Sequence, residues 1–256
     1  MNTVDLNRLD IRSGYRLLDI GCGNGRHMGE AIRIKGVSII GVDINMNHLL
    51  EAKKRLNDLG KLGFGRGSWG FNVAEITRLP FRDHSFHAVI CSEVLEHIVE
   101  EKTAVSEISR LLKPGRFLAL SVPRYLPERI CWKLSPEYRK TQKGHIRIYT
   151  KRRLRSLIRD SGLLLYKSHY AHSLHTPYWW LKCLVGPSKN YNRWVNLYHR
   201  FLMWDMMAKP RITQWLEKFL NPLLGKSIVL YLKTPNSGSR TLPALRNPKM
   251  ANQSET

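Results

Sequence analysis

The chain has 256 residues, of which 43% are hydrophobic, so it can form one complete domain with insertions but hardly a second domain. Its formal net charge of +22 is uneven: residues 1–122 contain 17 basic and 14 acidic side chains, whereas residues 123–256 contain 25 and 6. The composition argues against a membrane span, a disulfide framework and a zinc site, because no apolar run approaches about 18 residues and the four cysteines form no CxxC pair. We expect a cytoplasmic protein with no bound metal.

Short β-rich runs alternate with amphipathic helical patterns up to residue 122, which is typical of βαβ units on a parallel sheet. The first strand is predicted in residues 15–21, followed by a helix in residues 27–36 that ends at Gly36. The second strand is predicted in residues 37–44. Asn45 then caps a helix, and the glycine-rich residues 59–71 are predicted to form a loop.

The later elements are less regular. They are a buried central strand in 86–94, a helix in 103–115 that Pro114 and Gly115 end, a strand in 116–123, a basic aromatic segment in 124–149, a helix capped by Thr150, strands in 163–170 and 226–233, an insertion in 171–225 and a disordered tail in 234–256. This order predicts one domain over residues 1–233, with its core in 15–170.

Three alternate glycines, Gly21, Gly23 and Gly25, follow the first predicted strand. Glycines between a strand and a helix allow backbone N–H groups to approach an anionic ligand. A dinucleotide-binding loop reads G-x-G-x-x-G, but here Arg26 stands at the third glycine position, which argues against an NAD-dependent oxidoreductase. Asp43 ends the second strand 22 residues after Gly21, where a carboxylate can bind ribose hydroxyls, so the pattern indicates a nucleoside ligand.

Four stretches, LLDIGCGNG, GVDIN, LPFRDHSFHAVICSEVLEHI and EISRLLKPGRFLALSVP, resemble successive motifs of class I S-adenosylmethionine-dependent methyltransferases, specifically of the type 11 branch. The resemblance covers about residues 15–170. It implies a Rossmann-like α/β fold with a seven-stranded sheet, helices on both faces and an antiparallel last strand. It also implies S-adenosylmethionine as cofactor and methyl transfer as activity.

The resemblance assigns cofactor contacts to individual residues. Asp19 would bind the amino group, and the loop from Gly21 to Gly25 with Cys22 would hold the methionine end, which Ser92 would border. Asp43 with the adjoining Ile44 would hold the ribose side, and Glu75 would contact the adenine amine. Two positions depart from the family pattern: Arg116 replaces the second glycine of KPGG, and His87 replaces the aspartate of SFD.

A catalytic base is needed when the acceptor atom has to lose a proton, as an oxygen, a carbon or a cationic nitrogen does, but not for a free amine or a thiolate. The candidate catalytic residues are His97 in SEVLEHI and His145 in GHIRIYT, with Tyr149 in the same segment as His145. Arg147 is a candidate for binding an acidic group of the substrate. Each of these side chains has a structural alternative, such as ordering a loop, capping a helix or remaining a solvated charge.

The predicted insertions at 124–149 and 171–225 follow strands at the carboxyl edge of the sheet, where open α/β folds bind ligands. Their aromatic, Met-rich and basic composition favours a small-molecule or lipid-like acceptor and peripheral contact with an anionic membrane. The equally weighted alternative is that these apolar residues only cover the sheet.

Two further functions stay open. The basic second half favours a nucleic-acid methyltransferase, although the [DNS]-P-P-[YFW] motif of base-amino methyltransferases is absent and CSEVLEH occupies its place. The second alternative function is that of a non-catalytic binding protein that keeps the fold, but the intact glycine loop argues against it.

Overall fold

The computed structural model describes residues 2–141, 145–186 and 192–236. Seven strands in this part of the chain form one sheet. They are β1 (Arg16–Ile20), β2 (Ser38–Asp43), β3 (Ser68–Val73), β4 (Phe86–Ser92), β5 (Leu112–Pro123), β6 (Leu164–Ala171) and β7 (Ser227–Lys233). Their spatial order is β3-β2-β1-β4-β5-β7-β6, and β7 is antiparallel to both of its neighbours. The predicted seven-stranded sheet with an antiparallel last strand is confirmed.

Helices cover both faces of the sheet. They are α1 (Arg26–Ala31), α2 (Met46–Lys61), α3 (Glu101–Leu111), α4 (Tyr125–Leu134), α5 (Pro136–Thr141), α6 (Lys151–Asp160), α7 (His175–Val185), α8 (Arg193–Ala208) and α9 (Arg211–Leu224), with 3-10 turns at Leu6–Arg8 and Leu95–His97. Neighbouring residues of β4 enter different apolar clusters: Val89 packs in the cluster of α3 and α6, whereas Ile90 packs in that of α1 and α2. Because successive strand side chains point to opposite faces, the two clusters are the two cores of a three-layer fold.

Two predicted helix caps are confirmed. The Asn45 side chain accepts a hydrogen bond from the Asn47 backbone N–H at 2.9 Å, and the Thr150 hydroxyl accepts one from Arg153 at 3.2 Å. Each cap satisfies a backbone donor that the first turn of a helix leaves without a partner.

Three predicted elements in the first half are wrong at their boundaries. The loop in 59–71 is divided between α2, which continues to Lys61, and strand β3, which begins at Ser68. Helix α1 ends at Ala31 instead of reaching Gly36. Helix α3 ends at Leu111, because Leu112 already has extended dihedral angles and begins β5, in which Pro114 and Gly115 lie.

The segment 124–149 contains two helices that the sequence analysis did not predict. Pro127 lies in the first turn of α4 and Pro136 is the first residue of α5. Backbone N–H groups in the first turn have no partner within the helix, so proline removes no helical hydrogen bond there. The predicted tail at 234–256 is wrong at its start, because the buried Thr234 donates its backbone N–H to the Arg116 carbonyl at 2.9 Å. Residues 237–256 lie outside the described part.

Candidate active site

The glycine loop, residues 21–25, joins β1 to α1 at the carboxyl edge of the sheet. Gly21, Gly23 and Gly25 have φ values of 63°, 52° and 74°, the left-handed region that side chains with a Cβ rarely adopt. A Cβ atom on Gly21 would also overlap the Val94 side chain, which lies just after β4. The glycines therefore provide both the backbone conformation and the close approach of the β4 loop.

Asp43, at the end of β2, fixes the glycine loop to the neighbouring strand. One carboxylate oxygen accepts a hydrogen bond from the Gly23 N–H and the other accepts one from the Asn45 N–H, both at 2.9 Å. The His48 Nδ1 atom lies 3.3 Å from the same oxygen as Asn45. Each carboxylate oxygen can accept more than one hydrogen bond, so both can also accept hydroxyl donors.

Asp19 lies in β1 directly below the glycine loop and is only 1% exposed. Its Oδ2 atom has no hydrogen-bond partner among the described residues. Burial raises the pKa of Asp19 to about 8, although the positive charge of Arg26 acts in the opposite direction. A buried carboxylate with an unpaired oxygen is costly unless a donor or a cation reaches it, so this position fits a ligand ammonium group.

The other predicted cofactor residues lie around the same edge. Ile44 is 74% exposed beside Asp43, and Glu75 is exposed two residues beyond Val73, the strand partner of Asp43. The Ser92 hydroxyl lies 2.9 Å from the Ser121 hydroxyl. Cys22 is buried, and burial raises the pKa of its thiol far above the ordinary value, which makes it an apolar wall of the loop.

The two histidines predicted as catalytic, His97 and His145, meet in the structure, with ring centroids 4.8 Å apart. Their segments are joined by a backbone hydrogen bond from the Ile146 N–H to the Glu96 carbonyl at 3.0 Å. The His145 side chain is 9% exposed, and its Nδ1 atom lies 3.0 Å from the Glu128 carboxylate of α4. Its Nε2 atom lies 3.9 Å from Glu96.

Glu93, Glu96 and Glu128 are acidic residues that the sequence analysis missed, and together with His97 and His145 they form what we call the acidic histidine cluster. Burial raises the pKa values of Glu93 and Glu96, and each carboxylate is further affected by its neighbours. Burial also acts to raise the pKa of Glu128, but the hydrogen bond with His145 and the charge of Lys226 lower it overall. Glu128 is thus the carboxylate of the cluster that most favours its charged form.

Tyr149, the third residue predicted as catalytic, lies outside the acidic histidine cluster. Its buried hydroxyl donates to the Glu101 carboxylate at 2.6 Å and lies 3.1 Å from the Leu95 carbonyl. Arg147 pairs with the same carboxylate at 2.8 Å and donates to the Val99 carbonyl. Both side chains therefore fasten the segment that carries His145.

The insertion helices connect directly to α4, which carries Glu128. The Trp180 indole N–H of α7 donates to the Pro127 carbonyl at 3.2 Å. The Arg124 guanidinium, just after β5, donates to the Leu223 carbonyl of α9 at 3.1 Å. These contacts place the insertion at the carboxyl end of β5, on the side of the acidic histidine cluster.

Helices α8 and α9 expose many large apolar side chains, which we call the apolar surface. Its members are Trp194, Leu197, Phe201, Met203, Trp204, Met207, Ile212, Trp215, Leu216, Phe219 and Leu223. A groove of about 600 Å³ on α7 and α8 is lined mostly by such residues and shares none with the glycine loop. Helices α8 and α9, with the turn between them, carry five basic and two acidic side chains in residues 192–225. None of the described helices has the length and apolar character to span a bilayer.

Comparison with known proteins identifies the domain that contains this site. Residues 18–120 match the family model described as a methyltransferase domain. This part of the chain is therefore similar in sequence to methyltransferase domains. The match begins in β1 and ends in β5, so it includes the glycine loop, Asp43 and the loop after β4.

Similar proteins carry the same domain. The chain is 31% identical to the O-methyltransferase resE of Aspergillus sclerotiorum over 114 residues, which are 44% of this chain and 42% of the other. It is 29% identical to the 27-O-demethylrifamycin SV methyltransferase of Amycolatopsis mediterranei over 156 residues, 60% of this chain and 56% of the other. The chain thus spans about half the length of these relatives or less.

A solved S-adenosylmethionine-dependent methyltransferase from Methanosarcina mazei has the same fold. Its TM-score is 0.60 over 93% of this chain and 100% of the other, at 16% sequence identity. The methyltransferase fold therefore extends through the described part of the second half, although the family model matches only residues 18–120.

Proposed function

We propose that this protein transfers a methyl group from S-adenosylmethionine to a hydroxyl of a small-molecule or lipid-like acceptor. The observation that carries the proposal is the buried Asp19 carboxylate, whose unpaired oxygen lies under the glycine loop. The residues at this edge fit the cofactor, because they offer an acceptor for its ammonium group, backbone N–H groups and a carboxylate at the end of β2.

Each part of the cofactor site has a distinct task in this proposal. Asp19 binds the ammonium group, and Asp43 accepts hydrogen bonds from the ribose hydroxyls while it holds Gly23. The exposed Ile44 adjoins Asp43 on the ribose side, and Glu75 accepts a hydrogen bond from the adenine amine. Ser92 and Cys22 border the methionine end.

S-adenosylmethionine, when bound, supplies a methyl group that its sulfonium charge has already activated. The protein then has to align the acceptor atom for in-line displacement and exclude water from it. A hydroxyl acceptor also has to lose its proton, and we assign this task to the acidic histidine cluster. Glu93 of the cluster follows Ser92 directly, and the glycine loop packs against Val94, so the cluster adjoins the proposed cofactor site.

The choice of an oxygen acceptor has two supports. Relatives of this chain include proteins named as O-methyltransferases. In addition, His145 is held through Nδ1 by Glu128, which leaves its Nε2 directed to Glu96, inside a cluster that can promote loss of the hydroxyl proton.

The lipid-like character of the acceptor, and peripheral contact with an anionic membrane, are supported by the apolar surface. Aromatic side chains such as Trp204 and Trp215 suit the boundary between head groups and acyl chains, and nearby basic side chains such as Arg200 and Arg211 can reach anionic head groups. An acceptor that resides in the membrane would then meet the enzyme on the side where the insertion adjoins α4.

The cofactor assignment is tested by titrating the protein with S-adenosylhomocysteine in a calorimeter. A charge-assisted hydrogen bond contributes about 1.5–3 kcal/mol, so we expect Asp19→Asn to weaken binding at least about tenfold. Asp58→Asn, on the exposed face of α2, is the matched control and should bind like the wild type. Equal binding by all three proteins would contradict the role of Asp19, and no binding by the wild type would contradict the proposed function.

A further inference from the structure

We propose that Glu96, His97 and His145 bind one divalent transition-metal ion at the end of the loop after β4. One potential ligand atom from each residue lies within 4.8 Å of those of the other two. The Glu96 side chain is 0% exposed, and neither of its carboxylate oxygens has a hydrogen-bond partner among the described residues. A fully buried carboxylate beside two imidazoles suits a cation as its partner, because carboxylate oxygen and imidazole nitrogen are both metal ligands.

The geometry of His145 supports this assignment. The Nδ1–H group directed to Glu128 at 3.0 Å fixes the ring and its tautomer, so that the Nε2 lone pair faces Glu96. Metal-binding histidines commonly have such a carboxylate behind them, which orients the ring and strengthens its basicity. Glu128 is 1% exposed, so it is placed as an orienting residue and not as a solvent-facing ion pair.

The distances suit two ligands of one ion better than a direct hydrogen bond. The His145 Nε2 atom is 3.9 Å from the Glu96 Oε1 atom, which is beyond hydrogen-bond range. Ligand atoms at about 2.0–2.1 Å from a tetrahedral zinc ion are about 3.4 Å apart, so this pair has to close by only about 0.5 Å. His97 lies in a one-turn 3-10 helix, and its ring centroid is 4.8 Å from that of His145.

The charge of the region favours a cation. The carboxyl groups of Glu93, Glu96 and Glu128 lie together, and the charge of Lys226 acts on all three. The Lys226 ammonium group itself lies 4.3 Å from the centroid of the Trp179 ring. Three acidic side chains therefore stand against one lysine, and this excess of acidic groups favours an added cation. Glu93 accepts a hydrogen bond from the Ser121 hydroxyl at 2.9 Å and so stands beside the ligand set.

The role of the ion rests on the proposed function. Two histidines and one glutamate are a ligand set of catalytic zinc sites, which keep a position open for water or substrate. An acceptor hydroxyl in that position loses its proton more readily, because the cation stabilises the oxyanion. The O–H bond breaks and the proton passes to water. The oxygen then forms a bond to the methyl carbon as the carbon–sulfur bond breaks and its electron pair stays on sulfur.

The test uses the full chain after removal of metal with a chelator, with zinc alone as the probe. We expect calorimetry and elemental analysis to give one zinc ion per chain. His145→Ala and Glu96→Gln should weaken binding at least 100-fold, and the orienting variant Glu128→Gln should weaken it about 10- to 100-fold. Cobalt in place of zinc should give visible absorption bands that disappear in His145→Ala.

The control is His175→Ala, because His172, His175 and Glu217 form a second group with the same ligand types. Zinc binding that survives Glu96→Gln and His145→Ala, or that is lost in His175→Ala, would overturn the proposal, as would no binding at all. Circular dichroism of each variant separates unfolding from ligand loss, and the isosteric Glu96→Gln is expected to stay folded. Binding of S-adenosylhomocysteine should be equal in all these variants, so a failure of the metal site is distinguishable from a failure of the proposed function.

Discussion

The cofactor side and the acceptor side of this protein are built in different ways. Around the glycine loop, backbone geometry positions the ligand groups: three left-handed glycines, the ends of β1 and β2 and two N–H groups held by Asp43. Around the acidic histidine cluster, side chains from several separate elements meet. Glu96 comes from the loop after β4, Glu128 from α4 and His145 from the segment before α6.

The region that matches the family model contains the whole glycine loop and Asp43 but neither Glu128 nor His145. A backbone-built site needs few specific side chains, and its sequence pattern remains visible in residues 18–120. A site built from distant side chains can change its acceptor when an insertion changes, while the sheet stays the same. Substitutions should therefore separate the two sides into independent effects on cofactor binding and on turnover.

The largest effect should come from Gly21→Ala. The new alanine has to adopt a backbone φ near 63°, and its Cβ atom overlaps the Val94 side chain. We therefore expect the free energy of unfolding to fall by about 2–5 kcal/mol, with loss of cofactor binding. Gly14→Ala is the control, since it has φ of 82° but open space around it, and should lose only about 1–2 kcal/mol. Urea unfolding measures the free energy of unfolding of both variants. Equal losses of stability in Gly21→Ala and Gly14→Ala would show that the contact with Val94 has no role.

Glu128→Gln should give an intermediate effect that is confined to the acceptor side. It weakens the orientation of His145, so we expect methyl transfer to slow by about 10- to 100-fold while S-adenosylhomocysteine affinity stays unchanged. Glu51→Gln, on the exposed face of α2, should leave both quantities unchanged. A loss of cofactor affinity in Glu128→Gln would show that the two sides are not independent.

The smallest effect should come from the apolar surface. Trp215 and Phe219 stack at 5.9 Å on α9 and are exposed, so their joint replacement by serine should reduce binding to anionic lipid vesicles about tenfold in a sedimentation assay. The control variant replaces Leu62 and Phe64, which are exposed on the cofactor side. Equal binding by both variants, or binding to neutral vesicles as strong as to anionic ones, would contradict membrane contact through this surface.

The sequence predicted the first half well because local signals and the family pattern agree there. The strands around Asp19 and Asp43 and the cap at Asn45 follow from short-range chemistry. Strand β3 was missed because it is a short edge strand that contains Gly70 and follows a glycine-rich stretch, so its β pattern is weak.

The acceptor side could be predicted only in part. His97 and His145 were identified as candidates, but no periodicity in the sequence indicates that α4 brings Glu128 to His145, 17 residues away. The two prolines in 124–149 also obscured α4 and α5. The spacing Glu93-x-x-Glu96-His97 was the available signal, and it acquires meaning only when the fold places His145 opposite to it.

The most direct test of the central claim is mass spectrometry of a host-cell extract incubated with the protein and S-adenosylmethionine carrying a deuterated methyl group. The account predicts a labelled, lipid-extractable small molecule whose formation is lost in Asp43→Ala while circular dichroism shows that the fold is retained. A product that forms at an unchanged rate in Asp43→Ala, label found in RNA instead, or no labelled product at all would contradict it.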